Sequence, residues 1–346
     1  MSIQQLWFTQ PYQLETQESI FPELTATEIR VKTVCSAISA GTEMLVYRGQ
    51  LPADISLDAT LESLGHKQSY PLQYGYACVG YVEQIGSEVD LSWLGKRVFS
   101  FQPHASHFIA TLEQVIEIPD DIESEAAVFL ANMETAVNLI LDGAPLLGER
   151  VIVLGQGVVG LLLSSLLAQY PLSYLVAVEG IPLRKALALK WGVQQVYDPQ
   201  IQTDIFALEQ FLQLPVQIPN TANSGADLVY EVSGVPQALD LAINLCSYSG
   251  RIVMGSWYGN KAATLHLGGV AHRNRIKLMS SQVSTIAPEL TGRWDKTRRF
   301  NVAWDMIRHI KPQQMITHRA PLEAASALYA LLDQAPEKIL QAVFVY

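Results

Sequence analysis

Three glycines with a fixed spacing carry the clearest chemistry in the chain. Gly155, Gly157 and Gly160 form GQGVVG, directly after the apolar run ERVIVL and directly before the run VVGLLLSSLLAQY, with Gln156 and Val158 inside the turn. In that pattern the first glycine permits a tight turn, the second lets backbone approach a pyrophosphate, and the third lets helix and strand pack closely. The pyrophosphate then rests on the N–H groups and positive dipole of the helix N-terminus. The next apolar run, YLVAV, ends at Glu179, 19 positions after Gly160, where an acidic residue accepts hydrogen bonds from an adenosine ribose. The Glu179 charge should repel a 2′-phosphate, so NAD is expected to be preferred, while Arg184 and Lys185 close behind could offset that repulsion and make NADP possible.

His104 and His107 in QPHASHF have i, i+3 spacing. Both could reach one metal if the segment turned, with Glu43 supplying an oxygen; they could instead bond substrate or relay a proton, or be satisfied loop histidines. Cys35, Cys78 and Cys246 lie far apart in apolar surroundings without a C-x-x-C, which reads as buried thiols in a reducing, cytoplasmic setting.

The elements that must position these groups fall into two patterns. From Ile3 to about Leu130, short alternating or apolar runs such as EIRVKTVCSAIS, YACVGYVEQIG, KRVFSF and HFIAT read as mostly β. After Glu125, strands (ERVIVLG, YLVAVEG, ADLVYEVSG, RIVMGSW) alternate with helices (EAAVFLANMETAVNLILDGA, VVGLLLSSLLAQY, LRKALALKWG, PQALDLAINLCSYSG), the signature of a parallel sheet covered on both faces. A helix over WDKTRRFNVAWDMIRHI leads to a final strand in KILQAVFVY. The segment Leu51 to Gly75, polar and without clear periodicity, reads either as a loop over an active site or as an inert surface excursion.

A length of 346 residues suggests two domains. With 49% hydrophobic and 16% charged residues the chain reads as a packed globular enzyme, not a disordered or coiled-coil one. A net charge of −10 argues against tracking nucleic-acid phosphates. The N-terminal residues MSIQQLWFTQPYQLE lack the basic and long apolar regions of a signal peptide, and no uninterrupted apolar stretch suggests a membrane span.

Taken with AGTEMLVYRG, GYACVGYVEQIG, GKRVF, DLVYEVSG and GRIVMGSWYG, the chain resembles the medium-chain dehydrogenase/reductase superfamily, of zinc alcohol dehydrogenase type, over nearly its whole length. The strings PLQYGYACVGYVE, FSFQPHASHF, FLANMETAVN and HRNRIKLMSSQVS are similar to the branch containing bacteriochlorophyllide dehydrogenases. The resemblance implies an α/β chain: a GroES-like β domain over 1–130, a Rossmann doubly wound parallel sheet over 131–284, and a segment 285–346 returning to the first domain. It implies NAD(P) and a small-molecule substrate in the cleft between domains, and a homodimer. Thr135 would lie near the nicotinamide, Ser233 and Gly234 on the adenosine side, and Gly255 and Ser256 beneath the nicotinamide.

The zinc pattern of that family is broken here. Its ligand segments read Ala40-Gly41-Thr42-Glu43, Gly75-Tyr76-Ala77, and Ala131 with Asn132, and the four-cysteine lobe of the structural zinc is missing. Tetrahedral zinc needs three thiolate, imidazole or carboxylate ligands, so no zinc is expected. The cofactor then carries the hydride while the protein orients the carbon and manages one proton. Glu43, Tyr76, His104 and His107 are the polar groups that the resemblance brings near the cleft, and any of them could move that proton. Hydride transfer to or from a secondary alcohol or its ketone on a bulky, tetrapyrrole-like substrate is the expected function. A zinc-free quinone or enone reductase and a non-catalytic NAD(P)-binding redox sensor or assembly protein are the alternatives.

Overall fold

A computed structural model describes residues 2–52, 69–213 and 224–346. The central part of the excursion between Leu51 and Gly75 lies outside the described residues. The chain divides into two compact units, one of residues 1–131 with 303–346 and one of residues 132–302.

The first unit opens with an antiparallel hairpin, β1 (Ser2–Gln10) and β2 (Gln13–Ile20). Then come β3 (Glu28–Ala37), the helix α1 (Ala40–Tyr47), β4 (Cys78–Ile85), β5 (Arg97–Ser100), β6 (His107–Thr111), β7 (Val115–Glu117) and the one-turn α2 (Ser124–Ala127). The β reading of this half therefore misses α1. Met44, Leu45, Val46 and Tyr47 are all buried there, and a buried apolar run of this length has no periodicity to separate helix from strand.

The second unit begins within α3 (Leu130–Gly143) and continues through β8 (Arg150–Leu154), α4 (Val158–Leu167), β9 (Tyr174–Val178), α5 (Pro182–Lys190), β10 (Gln195–Tyr197) and α6 (Gln202–Phe211). After these come β11 (Ala226–Glu231), α7 (Ala238–Leu245), β12 (Cys246–Met254) and β13 (Lys277–Ser280). The six strands form one parallel sheet in the order β10-β9-β8-β11-β12-β13. Val151, Ile152, Val153 and Leu154 are essentially fully buried, as expected for a strand covered on both faces. The helix read through CSYSG stops at Leu245: Cys246 opens β12 and pairs with Ala226 of β11.

The chain returns to the first unit at Ala303, inside α8 (Lys296–Ile310), so 285–302 packs with the sheet unit, whereas the sequence reading hands the chain back at 285. Arg299 is the physical reason. Its fully buried guanidinium bonds Glu134 Oε1 at 2.6 Å, Asn138 Oδ1 at 2.6 Å and the Val283 carbonyl at 2.6 Å, which ties the start of α8 to α3. β14 (Ile316–Ala320), α9 (Ala325–Gln334) and β15 (Gln341–Val345) complete the first unit. Its larger sheet runs β14-β15-β3-β4-β5-β7, with β6 also paired to β3.

Candidate functional site

The parallel register brings the nucleotide-binding candidates to one end of the second unit's sheet. Leu154, Val178, Glu231 and Met254, the last residues of β8, β9, β11 and β12, are mutual register partners. Gly155, Glu179, Ser233 and Gly255 therefore leave the sheet side by side, at the carboxyl ends where ligands bind in open α/β sheets.

Gly155 has φ +94, and a Cβ there would lie 2.5 Å from Ser233 Cα, so the turn can cross β11 only with glycine. At Gly160 a Cβ would stand 2.1 Å from the Gly155 carbonyl oxygen. Gly157 is the opposite case. It caps α4 with ordinary backbone angles, and a Cβ on it would meet nothing within 4 Å. Open space in front of a helix N-terminus whose first N–H groups have no intrahelical acceptor fits a pyrophosphate. Gly157 and Val158 are partly exposed, while Gln156 is fully buried and its side-chain carbonyl accepts from Ser164 Oγ at 3.1 Å.

Glu179 is nearly buried. Its Oε2 accepts from the Gln156 N–H at 2.8 Å and its Oε1 from the Ile181 N–H at 2.9 Å, which leaves lone pairs for a further donor. Arg184 approaches it at 4.0 Å; burial lowers the guanidinium pKa, and Glu179 opposes that shift. Beyond β11, Ser233 donates through its N–H to Glu231 Oε1 at 2.8 Å and through its hydroxyl to the same oxygen. The N–H of Gly234 donates to Ser256 Oγ at 2.9 Å, and Lys261 Nζ donates to the Gly234 carbonyl at 3.0 Å. In α3, Thr135 is the one partly exposed residue in a run, 131–140, that is otherwise buried.

The four polar candidates of the first unit separate into three environments. Glu43 and His104 are fully buried and bonded to each other, Nε2 to Oε2 at 3.0 Å. Tyr76 is half-buried, and its phenol oxygen lies within hydrogen-bond distance of Ser39 Oγ and, at 3.2 Å, of Thr42 Oγ1. Burial pushes this phenol up to about 12, opposed by the two hydroxyl bonds. His107 stands apart on β6, edge-on to Phe21 with Nε2 3.7 Å from Glu83, and burial holds its imidazole below the usual range. The structure thus joins Glu43 to His104 and leaves His107 out.

Sequence spacing missed Ser36, Ser39, Tyr329, Tyr346, Glu231 and Tyr258. Ser36 Oγ lies 2.7 Å from His104 Nδ1 and 2.9 Å from the Tyr346 phenol oxygen, and the Tyr329 phenol donates to Glu43 Oε2. No local pattern marks these residues, because their partners are up to 310 positions away.

The family's zinc positions hold side chains that do not fit the metal. Ala40 and Ala131 have no donor atom, and the Tyr76 phenol is neutral near pH 7. Among the described residues, no group of three or more His, Cys, Asp or Glu side chains could hold a metal ion, so Glu43, His104 and His107 do not form such a group. Nor, among those residues, is any helix long and apolar enough to cross a membrane.

Comparison with known proteins agrees with this architecture. Residues 158–299 match the zinc-binding dehydrogenase family. D-guloside 3-dehydrogenase of Escherichia coli K12 is 23% identical over 296 residues, which cover 82% of this chain and 82% of that protein. A structure of a short chain alcohol dehydrogenase from E. coli CFT073, complexed with NADH, superposes with a TM-score of 0.78 at 18% identity, covering 100% of this chain and 99% of the other. 2R,3R-butanediol dehydrogenase from Bacillus subtilis gives a TM-score of 0.78 at 16% identity, covering 100% of both chains. The chain is an oxidoreductase of the alcohol dehydrogenase-like kind. Its fold is that of the medium-chain dehydrogenase/reductase proteins, with a six-stranded parallel-sheet unit.

Proposed function

We propose that the chain transfers hydride between a nicotinamide dinucleotide, preferably NAD, and a secondary alcohol or its ketone, without catalytic zinc. The observation that carries this reading is the open space at Gly157, in a turn whose flanking glycines have no room for a side chain. Gly155, Gln156, Gly157, Val158 and Gly160 would hold the pyrophosphate, Glu179 with Arg184 the adenosine ribose, Ser233 and Gly234 the adenosine side, and Thr135, Gly255 and Ser256 the nicotinamide side. When bound, the nicotinamide accepts or supplies the hydride.

Tyr76 is the residue assigned to the substrate oxygen. A neutral phenol at near-neutral pH donates a hydrogen bond to a carbonyl oxygen and stabilises negative charge developing there as hydride arrives at carbon. The carbonyl oxygen gains one proton in reduction and the hydroxyl gives one up in oxidation. Ser39 and Thr42, bonded to the phenol, extend that path by two exchangeable hydroxyls.

Resemblance of the four branch strings supports a bulky, tetrapyrrole-like substrate, whereas the guloside named for a relative supports a polyhydroxylated ring. Three buried, unpaired thiols suit a reducing cytosol, and the resemblance favours a homodimer. The test is fluorescence titration with NADH, followed by turnover of bulky ketones, sugar-derived ketones and conjugated enones with and without EDTA, plus elemental analysis. Turnover unaffected by EDTA, with well under one zinc per chain, is expected. Absence of NADH binding, or one tightly held zinc whose removal abolishes turnover, overturns the reading.

A further inference from the structure

Glu43 and His104 are each fully buried, so neither has surface to offer a substrate. A charged or polar pair taken out of water is tolerated only when its remaining donors and acceptors are filled. Here they are filled in an ordered way. The Glu43 carboxylate accepts from His104 Nε2 at 3.0 Å, from the Tyr329 phenol, and through Oε1 from the Ser39 N–H at 2.7 Å. Since a carboxylate only accepts, His104 donates from Nε2, and its Nδ1 lies 2.7 Å from the Ser36 hydroxyl.

What this pair touches on either side gives it a purpose. Glu43 holds the N-cap of α1, where Ser39 sits, and Thr42 is its immediate neighbour. His104 holds the segment that carries Tyr76: its backbone N–H donates to the Tyr74 carbonyl at 3.3 Å, and its ring fills the space beside Gly75. A Cβ on Gly75 would lie 2.8 Å from His104 Cδ2. The Glu43–His104 hydrogen bond therefore joins the start of α1 to residues 74–76. Ser39 and Thr42 stand on one side of that joint, Tyr76 stands on the other, and the three hydroxyls meet.

We propose that Glu43 and His104 are positioning residues, which hold the hydroxyl group of Tyr76 against Ser39 and Thr42 and exchange no proton with substrate. This rests on the assignment of Tyr76 to the substrate oxygen and deepens it. Tyr329 of α9 locks Glu43, and Tyr346 steadies Ser36 behind His104. Both come from the C-terminal segment, so the hydroxyl triangle is set by packing from the far end of the chain.

The test reads Tyr76 directly. Protein labelled with 3-fluorotyrosine is compared by fluorine NMR, with the Tyr76 resonance assigned through Tyr76→Phe. His104→Gln and Glu43→Gln should each shift that resonance in folded protein. Tyr329→Phe, which removes one hydroxyl and little volume, should shift it in the same direction by less, and it guards against the first two failing to fold. With NADH and a ketone that is turned over, His104→Gln should lower kcat at least 10-fold, leave KM for NADH unchanged and keep the shape of the pH profile. An unmoved Tyr76 resonance in folded Tyr329→Phe or His104→Gln, even with a lowered Tm, would make the network purely structural and overturn the proposal. Loss of one limb of the pH profile in His104→Gln would overturn it in the other direction, making His104 a proton-transfer group. A protein that turns over no ketone while the resonance shifts as expected would refute the assignment of Tyr76 to the substrate oxygen and leave the positioning intact.

Discussion

Tyr258 donates its phenolic hydrogen to the carboxylate of Glu231, so the residue closing β11 is tied to the loop that follows β12. Glu231 is fully buried and also accepts from the N–H and the hydroxyl of Ser233. One carboxylate thus holds both loops that carry Ser233, Gly234, Gly255 and Ser256. A hydrogen bond to a charged group contributes about 1.5 to 3 kcal/mol. Tyr258→Phe is therefore expected to keep the fold and weaken NADH binding by roughly 10- to 150-fold, while Glu231→Ala should weaken it further and lower Tm. Fluorescence titration and thermal melts measure the two effects. NADH affinity unchanged in Tyr258→Phe would mean that the loops need no such tie.

Gly157 and Gly160 should respond differently to side chains, although both belong to the same turn. Gly157→Val puts its side chain into open space, so the protein should fold with a near-normal Tm and lose NADH binding. Gly160→Ala puts a Cβ 2.1 Å from the Gly155 carbonyl oxygen, so it should cost stability outright, about 1 to 3 kcal/mol. Urea denaturation of both variants beside NADH titration separates the two outcomes. Normal NADH affinity in folded Gly157→Val would place the pyrophosphate elsewhere.

Cofactor choice should follow the charge of Glu179. In the proposed site its carboxylate would accept from a ribose hydroxyl and repel a 2′-phosphate, and Arg184 at 4.0 Å would reduce that repulsion without removing it. NADH is expected to bind more tightly than NADPH, and Glu179→Gln, which retains an acceptor, should narrow the gap. NADPH binding as tightly as NADH to the unaltered protein would show that Glu179 does not face the ribose.

Alkali should unfold the protein through its phenols. Burial raises the Tyr230 and Tyr329 pKa values far above 10, and Tyr76 to about 12. A group whose pKa is higher in the folded state contributes its full share of stability below the unfolded value and loses it as pH rises towards the folded one. Stability should therefore be flat with respect to these groups up to about pH 9 and fall between about pH 10 and 12. Spectrophotometric titration at 295 nm should show fewer than the full 14 tyrosines ionising before the unfolding transition. Reversible ionisation of all of them in folded protein would contradict the burial argument.

The phosphate turn and the alternation around it were legible because they are local. Gly155, Gly157 and Gly160 act within one strand-turn-helix, and the end of YLVAV at Glu179 follows from strand length alone. The apolar runs of β8 and β9 declare their burial on both faces without reference to anything distant. Short buried runs were harder. MLVY in α1, all buried, and CSYSG at the start of β12, with Tyr248 and Ser249 exposed, carry no period long enough to separate helix from strand, so neighbouring elements decide them.

By itself the sequence determined the parallel-sheet unit and the glycine turn between β8 and α4, because these depend on residue type and spacing over a few turns of chain. Only the tertiary structure decided which polar candidates act together. His104 and His107 are three residues apart and face different surroundings, while Glu43 and Tyr329, 286 positions apart, share a hydrogen bond. Contacts of that separation form when the returning segment β14 to β15 packs against β3, and no periodicity in the chain records which hydroxyl a buried carboxylate will then meet.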